Sequence, residues 1–113
     1  MKIIKDNNGN IMMILKEVED ASDKLLHCNS VDASFEKHIP QCNRIEDKVE
    51  VIVNHVMEEE HYIEWIMVDY GKTQIIKHFL PNEEPKMIVD YKGGMRAYSY
   101  CNKHGLWQSE PLH

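Results

Sequence analysis

The sequence lacks the features that mark membrane proteins and nucleic-acid-binding proteins. No apolar run approaches the roughly 18 residues of a membrane span, and the longest near the start, residues 11–15, is too short for the apolar core of a signal peptide. Lysine and arginine form no block, and the net charge is −6 from 13 basic and 19 acidic residues. An acidic chain without a basic patch is a poor partner for nucleic acid. These absences predict a cytoplasmic protein that binds neither membrane nor nucleic acid.

Cysteine is scarce and odd in number, with Cys28, Cys42 and Cys101. Three cysteines without an export signal predict reduced thiols or a metal ligand rather than a disulfide framework. Histidine, by contrast, is abundant, with seven in 113 residues. Histidine is the commonest transition-metal ligand, but enrichment alone could reflect only a polar surface. The spacing of the histidines therefore has to distinguish metal binding from a merely polar surface.

From residue 48 onward the sequence predicts short β-strands separated by turns. Val49, Val51 and Val53 alternate with Lys48, Glu50 and Ile52, as in a strand with one buried face. Further predicted strands are residues 62–68, 73–80, 87–91 and 95–100. Residues 92–94, Lys-Gly-Gly, predict a hairpin between the last two strands. One domain of 113 residues with this pattern is predicted to be an all-β sandwich or barrel.

The first 46 residues carry weaker signals. Residues 11–15 follow a turn at 6–10 and predict a short buried strand. Residues 16–26 fit a short helix or an irregular excursion equally well. Residues 31–46 predict a loop, and Pro40 at its centre favours exposed, irregular backbone around His38.

A metal-binding motif lies near the C-terminus, where residues 100–107 read YCNKHGLW. Cys101 and His104 stand three positions apart on a predicted turn, which can aim a thiolate and an imidazole at one point. Three further histidines lie upstream, namely His38, His55 and His61. Four imidazoles and one thiolate exceed what a closed tetrahedral zinc site uses. Each histidine alone is more simply a surface or core residue, but together with Cys101 they predict a metal centre. His27, His78, His113, the acidic run 58–60 and the thiols Cys28 and Cys42 are predicted to lie outside it.

Three segments in order resemble the superoxide reductase family, which comprises desulfoferrodoxin and neelaredoxin. They are EKHIP at residues 36–40, HVMEEEHYIEWI at 55–66 and YCNKHGLW at 100–107, and the resemblance covers about residues 35–108. It implies an immunoglobulin-like β-sandwich, preceded here by a short irregular N-terminal segment. It also implies one mononuclear iron per chain, which reduces superoxide by one electron to hydrogen peroxide.

The resemblance further implies a role for each site residue. The equatorial iron ligands would be His38, His55, His61 and His104, with Cys101 as the axial ligand and a sixth position open. Glu36 would occupy the open position in the ferric state, and Lys37 would attract the anionic substrate and help to deliver a proton. An imidazole and thiolate set with a vacancy suits redox iron better than structural zinc. A thiolate opposite the vacancy pushes electron density onto bound oxygen, and the backbone N–H groups of residues 102–104 are predicted donors to its sulfur.

The sequence departs from the family in two places. Val56 stands where many relatives have proline, and the interval from His38 to His55 is shorter by about three residues. Residues 7–11 resemble the desulforedoxin-type segment of two-iron relatives, but asparagine and aspartate stand where its cysteines would be. Residues 1–30 are therefore predicted to be a degenerate, metal-free segment kept for packing or dimerisation, and residues 31–113 the iron-binding domain. Electrons would then come from an outside donor such as rubredoxin, and relatives imply a homodimer or homotetramer.

A second interpretation is a non-catalytic β-sandwich that keeps iron or zinc for a structural or interaction role. The adjacent Glu36 and Lys37 favour the enzyme, because a purely structural site has no use for a charge pair at a vacant position.

Overall fold

The chain forms antiparallel sheets in a computed structural model that describes residues 1–21 and 24–113. Over these residues it has nine strands: β1 Ile3–Lys5, β2 Ile11–Met13, β3 Gln41–Ile45, β4 Lys48–Ile52, β5 Ile63–Asp69, β6 Gln74–His78, β7 Lys86–Asp90, β8 Arg96–Cys101 and β9 Gly105–Gln108. The sheets have the orders β1-β2, β3-β4-β7 and β6-β5-β8-β9. The described residues contain no helix that could cross a bilayer. The predicted all-β fold is confirmed.

The two larger sheets bury their facing side chains in one core. Val49 and Val51 of β4 and Ile66 and Val68 of β5 are all fully buried, and they belong to the same apolar cluster. The alternation that predicted β4 is thus the alternation between core and solvent. This packing of sheet on sheet makes the domain a β-sandwich.

The predicted hairpin across residues 92–94 is wrong. β7 pairs with β4 in one sheet, whereas β8 pairs with β5 and β9 in the other. The glycine turn therefore carries the chain from sheet to sheet, with Gly94 at a φ of 84°. A Gly-Gly pair encodes a tight reversal but not the sheet that the chain enters next. Met95, 1% exposed, fixes that choice by entering the core directly after the turn.

The predicted loop at residues 31–46 contains a strand that sequence reasoning missed. Its last residues form β3, an edge strand joined to β4 through Glu46, which has a φ of 56°. Apart from the half-buried Cys42, the side chains of β3 are exposed. An edge strand with so little burial carries no apolar alternation for a sequence pattern to detect.

The N-terminal residues form a small hairpin that covers the outer face of the four-stranded sheet. Ile3, Ile11 and Met13 join Met67 and Tyr98 in a second apolar cluster, separate from the core. Of the range predicted as a helix or an irregular excursion, residues 16–21 have no regular structure. Positions 22 and 23 of that range lie outside the described residues.

Candidate metal centre

Five side chains from distant parts of the sequence meet beyond one end of the sandwich. They are the five predicted ligands, His38, His55, His61, Cys101 and His104, and their ligand atoms all lie within 4.8 Å of one another. They come from the loop before β3, the connection between β4 and β5, the last residue of β8 and the turn between β8 and β9. The sheets place these segments together. The end of β4 pairs with the start of β3, and the end of β8 pairs with the start of β5.

The turn between β8 and β9 brings Cys101 and His104 together. Cys101 pairs with Gly105 as the last step of the ladder, so residues 102–104 form the loop. Gly105 has a φ of 80°, in the left-handed region that favours glycine and lets a short loop close. The sulfur of Cys101 consequently lies 3.9 Å from Nδ1 of His104.

The four imidazoles form a closed ring of edge-to-face neighbours. Centroid distances around the ring are 4.8 Å for His38–His55, 4.5 Å for His55–His61, 5.1 Å for His61–His104 and 4.9 Å for His104–His38. Neighbouring ring planes lie between 70° and 86° apart. The Cys101 sulfur joins this ring as a fifth donor, 3.5 Å from Nε2 of His55.

Hydrogen bonds to backbone carbonyls fix which nitrogen faces the cluster. Nδ1 of His38 donates to the Ser34 carbonyl at 2.7 Å, and Nδ1 of His55 donates to the Val56 carbonyl. A carbonyl only accepts, so each Nδ1 carries the proton and each Nε2 offers a lone pair. His104 has the opposite orientation, because its Nδ1 lies 3.0 Å from Nε2 of His38.

Two features of this cluster fit a metal ion. Nε2 of His61 is buried without a hydrogen-bond partner among the described residues. Such an atom costs about 1–3 kcal/mol unless something binds it. In addition, the nitrogens of His38 and His104 face each other at 3.0 Å, a separation that suits two ligands of one ion as well as a hydrogen bond. A cation at the centre would satisfy these nitrogens together.

Burial lowers the pKa of three of the histidines below the ordinary value. Removal from water is the main cause for His38, His55 and His61, and the neighbouring imidazoles add to it. The positive charges of Lys37 and Lys103 contribute further at His38 and His61 respectively. A lowered pKa keeps the imidazole neutral near pH 7, which is the form that binds metal.

Trp107 and Ser99 position the predicted ligands, and sequence reasoning did not assign them this role. Trp107 is fully buried, and its ring stacks on His38 at 4.8 Å and 25°. Its Nε1 donates to the His104 carbonyl at 3.0 Å, and Ser99 Oγ donates to the His38 carbonyl at 2.6 Å. These contacts leave His38 only 3% exposed, so the prediction that it lies on exposed backbone is wrong. The sequence signal that could have indicated a role for Ser99 was a single serine within a mostly apolar predicted strand.

The remaining predictions have mixed outcomes. Glu36 and Lys37 are exposed, in the turn that leads into His38. The backbone N–H of Asn102 donates to the Tyr62 carbonyl at 3.2 Å, so its prediction as a donor to the Cys101 sulfur is wrong. The same prediction for residues 103 and 104 stays a prediction. The surface histidines His27, His78 and His113 and the acidic run 58–60 are exposed, as predicted.

Comparison with known proteins finds similarity to desulfoferrodoxins and superoxide reductases. The desulfoferrodoxin family model matches residues 30–110. The desulfoferrodoxin of Syntrophotalea carbinolica is 38% identical over 90 residues, covering 76% of this chain and 71% of that protein. The superoxide reductase of Thermococcus kodakarensis is 34% identical over 104 residues, covering 72% of this chain and 90% of that protein.

Solved structures extend the comparison to the fold. The superoxide reductase from Treponema pallidum matches with a TM-score of 0.73 at 24% identity, covering 97% of this chain and all of that one, which shows a shared fold. The superoxide reductase (neelaredoxin) from Ignicoccus hospitalis matches with a TM-score of 0.56 at 27% identity, covering 72% of this chain and 86% of that one.

Proposed function

Because the chain belongs to the desulfoferrodoxin family, we propose that it is a superoxide reductase. The family and the His4Cys cluster together support one mononuclear iron centre. The observation that carries the proposal is the closed ring of four imidazoles with Cys101 as a fifth donor. Five protein donors would leave a six-coordinate metal with one position for a small anion, whereas structural zinc sites are closed by four.

The protein groups would hold the metal and tune it. His38, His55, His61 and His104 would supply the imidazole donors, with Cys101 as the thiolate donor. When bound, iron(II) supplies the single electron that superoxide requires. Thiolate donation raises electron density at the metal, and the buried position of Cys101 strengthens this effect by excluding water. Superoxide, one electron and two protons balance to hydrogen peroxide, with no dioxygen released.

Lys37 and Glu36 would act on the substrate side. Lys37 lies close enough to His38 for its charge to lower the pKa of that imidazole. The net charge of −6 would repel superoxide at long range, but screening beyond about 8–10 Å leaves the local field in control. The Lys37 ammonium would therefore attract superoxide and donate a hydrogen bond to it, while the Glu36 carboxylate would serve as a ligand for the oxidised metal.

Turnover requires a one-electron donor, and the chain offers no second iron centre of the tetrathiolate kind in its first 30 residues. That segment contains a single cysteine, Cys28, and a tetrathiolate iron needs four. A small iron protein of the rubredoxin type is the proposed donor. Residues 1–30 would serve packing, which their contribution to the second apolar cluster supports. A homodimer or homotetramer and a cytoplasmic location remain predictions.

The test is the stoichiometry of superoxide consumption by iron-loaded protein supplied with a reductant. A reductase gives one peroxide per superoxide and no dioxygen, whereas dismutation gives half as much peroxide. His104→Ala should abolish the activity, and His78→Ala, at an exposed histidine of β6, should leave it unchanged. The proposal fails if the wild-type protein consumes superoxide no faster than the His104→Ala variant. Iron retained without activity would favour the non-catalytic alternative.

A further inference from the structure

Asn102 holds the backbone on both sides of His61. Its Nδ2 donates to the Glu60 carbonyl at 2.9 Å, and its Oδ1 accepts from the Tyr62 N–H at 3.0 Å. Its own backbone N–H donates to the Tyr62 carbonyl at 3.2 Å. One residue of the β8–β9 turn thus brackets a histidine that lies 41 positions earlier in the chain.

These three hydrogen bonds, here called the Asn102 bracket, hold β5 and β8 together beyond the point where their sheet pairing ends at the metal cluster. β5 and β8 pair as far as Ile63 and Cys101, with an irregularity between Ile63 and Trp65. Beyond Cys101 the chain must turn away so that His104 can reach the cluster. The backbone of Asn102 therefore makes one hydrogen bond to Tyr62, from its N–H to the Tyr62 carbonyl. The side-chain amide accepts from the Tyr62 N–H and donates to the Glu60 carbonyl.

Only asparagine meets these demands without rearrangement. The planar amide offers an acceptor and a donor on a side chain with a single methylene. An aspartate lacks the donor that the Glu60 carbonyl requires, and a glutamine is longer by one methylene. Alanine would leave both backbone groups of the His61 loop without this partner.

His61 depends on this bracket more than the other histidines do. His38 and His55 have their rings fixed by hydrogen bonds to backbone carbonyls. Within the part of the chain that the structure describes, the ring of His61 has no bond of that kind, and its buried Nε2 is unpartnered. Its position is set through the backbone, by a reciprocal pair of bonds with Glu58 and by the Asn102 bracket.

We propose that Asn102 is a positioning residue that places His61 in register with Cys101 for metal binding. This inference rests on the proposed iron site and deepens it. The hydrogen bonds of the Asn102 side chain go to the backbone of Glu60 and Tyr62. It couples the segment that carries His61 to the segment that carries Cys101 and His104, so the two sets of ligands move together.

The matched control is Asn29, which makes the same kind of bracket away from the cluster. Its Nδ2 donates to the Gln108 carbonyl at 3.2 Å, and its Oδ1 accepts from the Gln108 N–H at 2.8 Å. Asn29→Ala therefore removes an equivalent pair of hydrogen bonds from β9. It reports the cost of losing such a pair of hydrogen bonds together with the strain of alanine at a φ of 57°, so it is the more demanding control.

The experiment measures iron release to a coloured ferrous chelator and the electron paramagnetic resonance spectrum of the ferric protein. Asn102→Ala should hold iron about 10- to 100-fold less tightly, the range typical for losing a partner that orients a ligand, and should therefore release it faster. It should also broaden the ferric spectrum, whereas Asn29→Ala should leave both unchanged. Wild-type release rates and spectrum in Asn102→Ala would overturn the inference.

Asn102→Asp gives a second test if the alanine variant does not fold. Aspartate keeps the acceptor for the Tyr62 N–H and loses only the donor to Glu60. Its added negative charge attracts a cation, so faster iron release would reflect the lost hydrogen bond, and unchanged release would count against the inference. Wild-type protein that holds iron but does not consume superoxide would remove the proposed function and leave this inference standing.

Discussion

The imidazole of His38 stacks on the indole of Trp107 with centroids 4.8 Å apart and planes 25° from parallel. The same indole donates its N–H to the carbonyl of His104. A single fully buried side chain therefore contacts two of the five predicted ligands, which stand 66 positions apart. The core of the sandwich and the geometry of the metal cluster meet at this residue.

Trp107→Phe separates the two contacts of the indole. Phenylalanine keeps an aromatic face for His38 but leaves the His104 carbonyl without its donor, so the free energy of unfolding should fall by about 1–3 kcal/mol. Urea unfolding of the metal-free protein measures this loss, and the ferric spectrum should shift because His104 is less constrained. Trp65→Phe is the control, since Trp65 stacks on Tyr100 and is not bonded to a ligand. Equal spectral changes in both variants would contradict a specific role for Trp107.

Lys37→Ala should slow the reaction with superoxide without removing the iron. The loss of one positive charge beside the cluster predicts a rate about tenfold lower at low ionic strength, with the difference shrinking as salt is added. Pulse radiolysis at several salt concentrations measures it. Lys72→Ala is the control, because Lys72 is an exposed lysine in the turn after β5. Loss of iron from the Lys37 variant would show that its role is structural instead.

Stability of the metal-free protein should fall as the pH drops from 7.5 to 5.5. Burial lowers the pKa of His38, His55 and His61 in the folded state. Below their ordinary value of about 6.5 the unfolded chain binds protons that the folded chain does not, so acid favours unfolding. The carboxyls of Asp6 and Asp90 have lowered pKa values and titrate in more acidic solution, outside this window.

Urea titrations at pH 7.5, 6.5 and 5.5 measure this dependence. His38→Gln should make it shallower, because one of the shifted groups is removed. A stability that does not change across the three pH values would contradict the argument from burial.

Metal should raise the unfolding temperature, because it would join three segments that the backbone holds separately. A ligand at about 1,000 times its dissociation constant stabilises the folded state by about 4 kcal/mol. Calorimetry of the iron-loaded and chelator-treated protein measures the shift. His61→Ala should reduce it, whereas His113→Ala, at an exposed position, should not. An unchanged unfolding temperature after chelation would exclude a metal that bridges these segments.

Ile3→Ala tests the packing role of the N-terminal hairpin. Ile3 is 5% exposed in the second apolar cluster, and truncation of such a side chain costs about 2–5 kcal/mol. Met12 lies on the exposed face of the same hairpin and is 40% exposed, so Met12→Ala should change the free energy of unfolding little. Chemical unfolding measures both. A loss of iron binding in the Ile3 variant while it remains folded would contradict a purely packing role.

The residues of the site could be predicted from the sequence more completely than the strands around them. Short motifs around His61 and Cys101 specify chemistry within a few residues, and the structure brings all five donors together. The sheet assignment of the residues after Gly94 could not be read locally, because it depends on which strands are already paired. The strand at Gln41–Ile45 left no apolar pattern, since an edge strand buries little.

The hydrogen bonds around the cluster could not be predicted from the sequence. Asn102 and Trp107 belong to the same motif as Cys101, but their partners lie in distant segments. Only the folded chain shows that an amide in one turn holds a histidine in another. The exposed backbone predicted around His38 failed for the same reason, because the ring that covers it comes from β9.

The complete burial of Cys101 limits which of this protein's thiols a dissolved oxidant can reach. Cys28 and Cys42 are half-buried, while the Cys101 sulfur has no exposure. Thiol oxidation follows access to solvent as well as thiolate character. Burial also raises the pKa of the Cys28 and Cys42 thiols, so these two meet a dissolved oxidant mainly as the less reactive neutral thiols, and the Cys101 sulfur lies out of its reach.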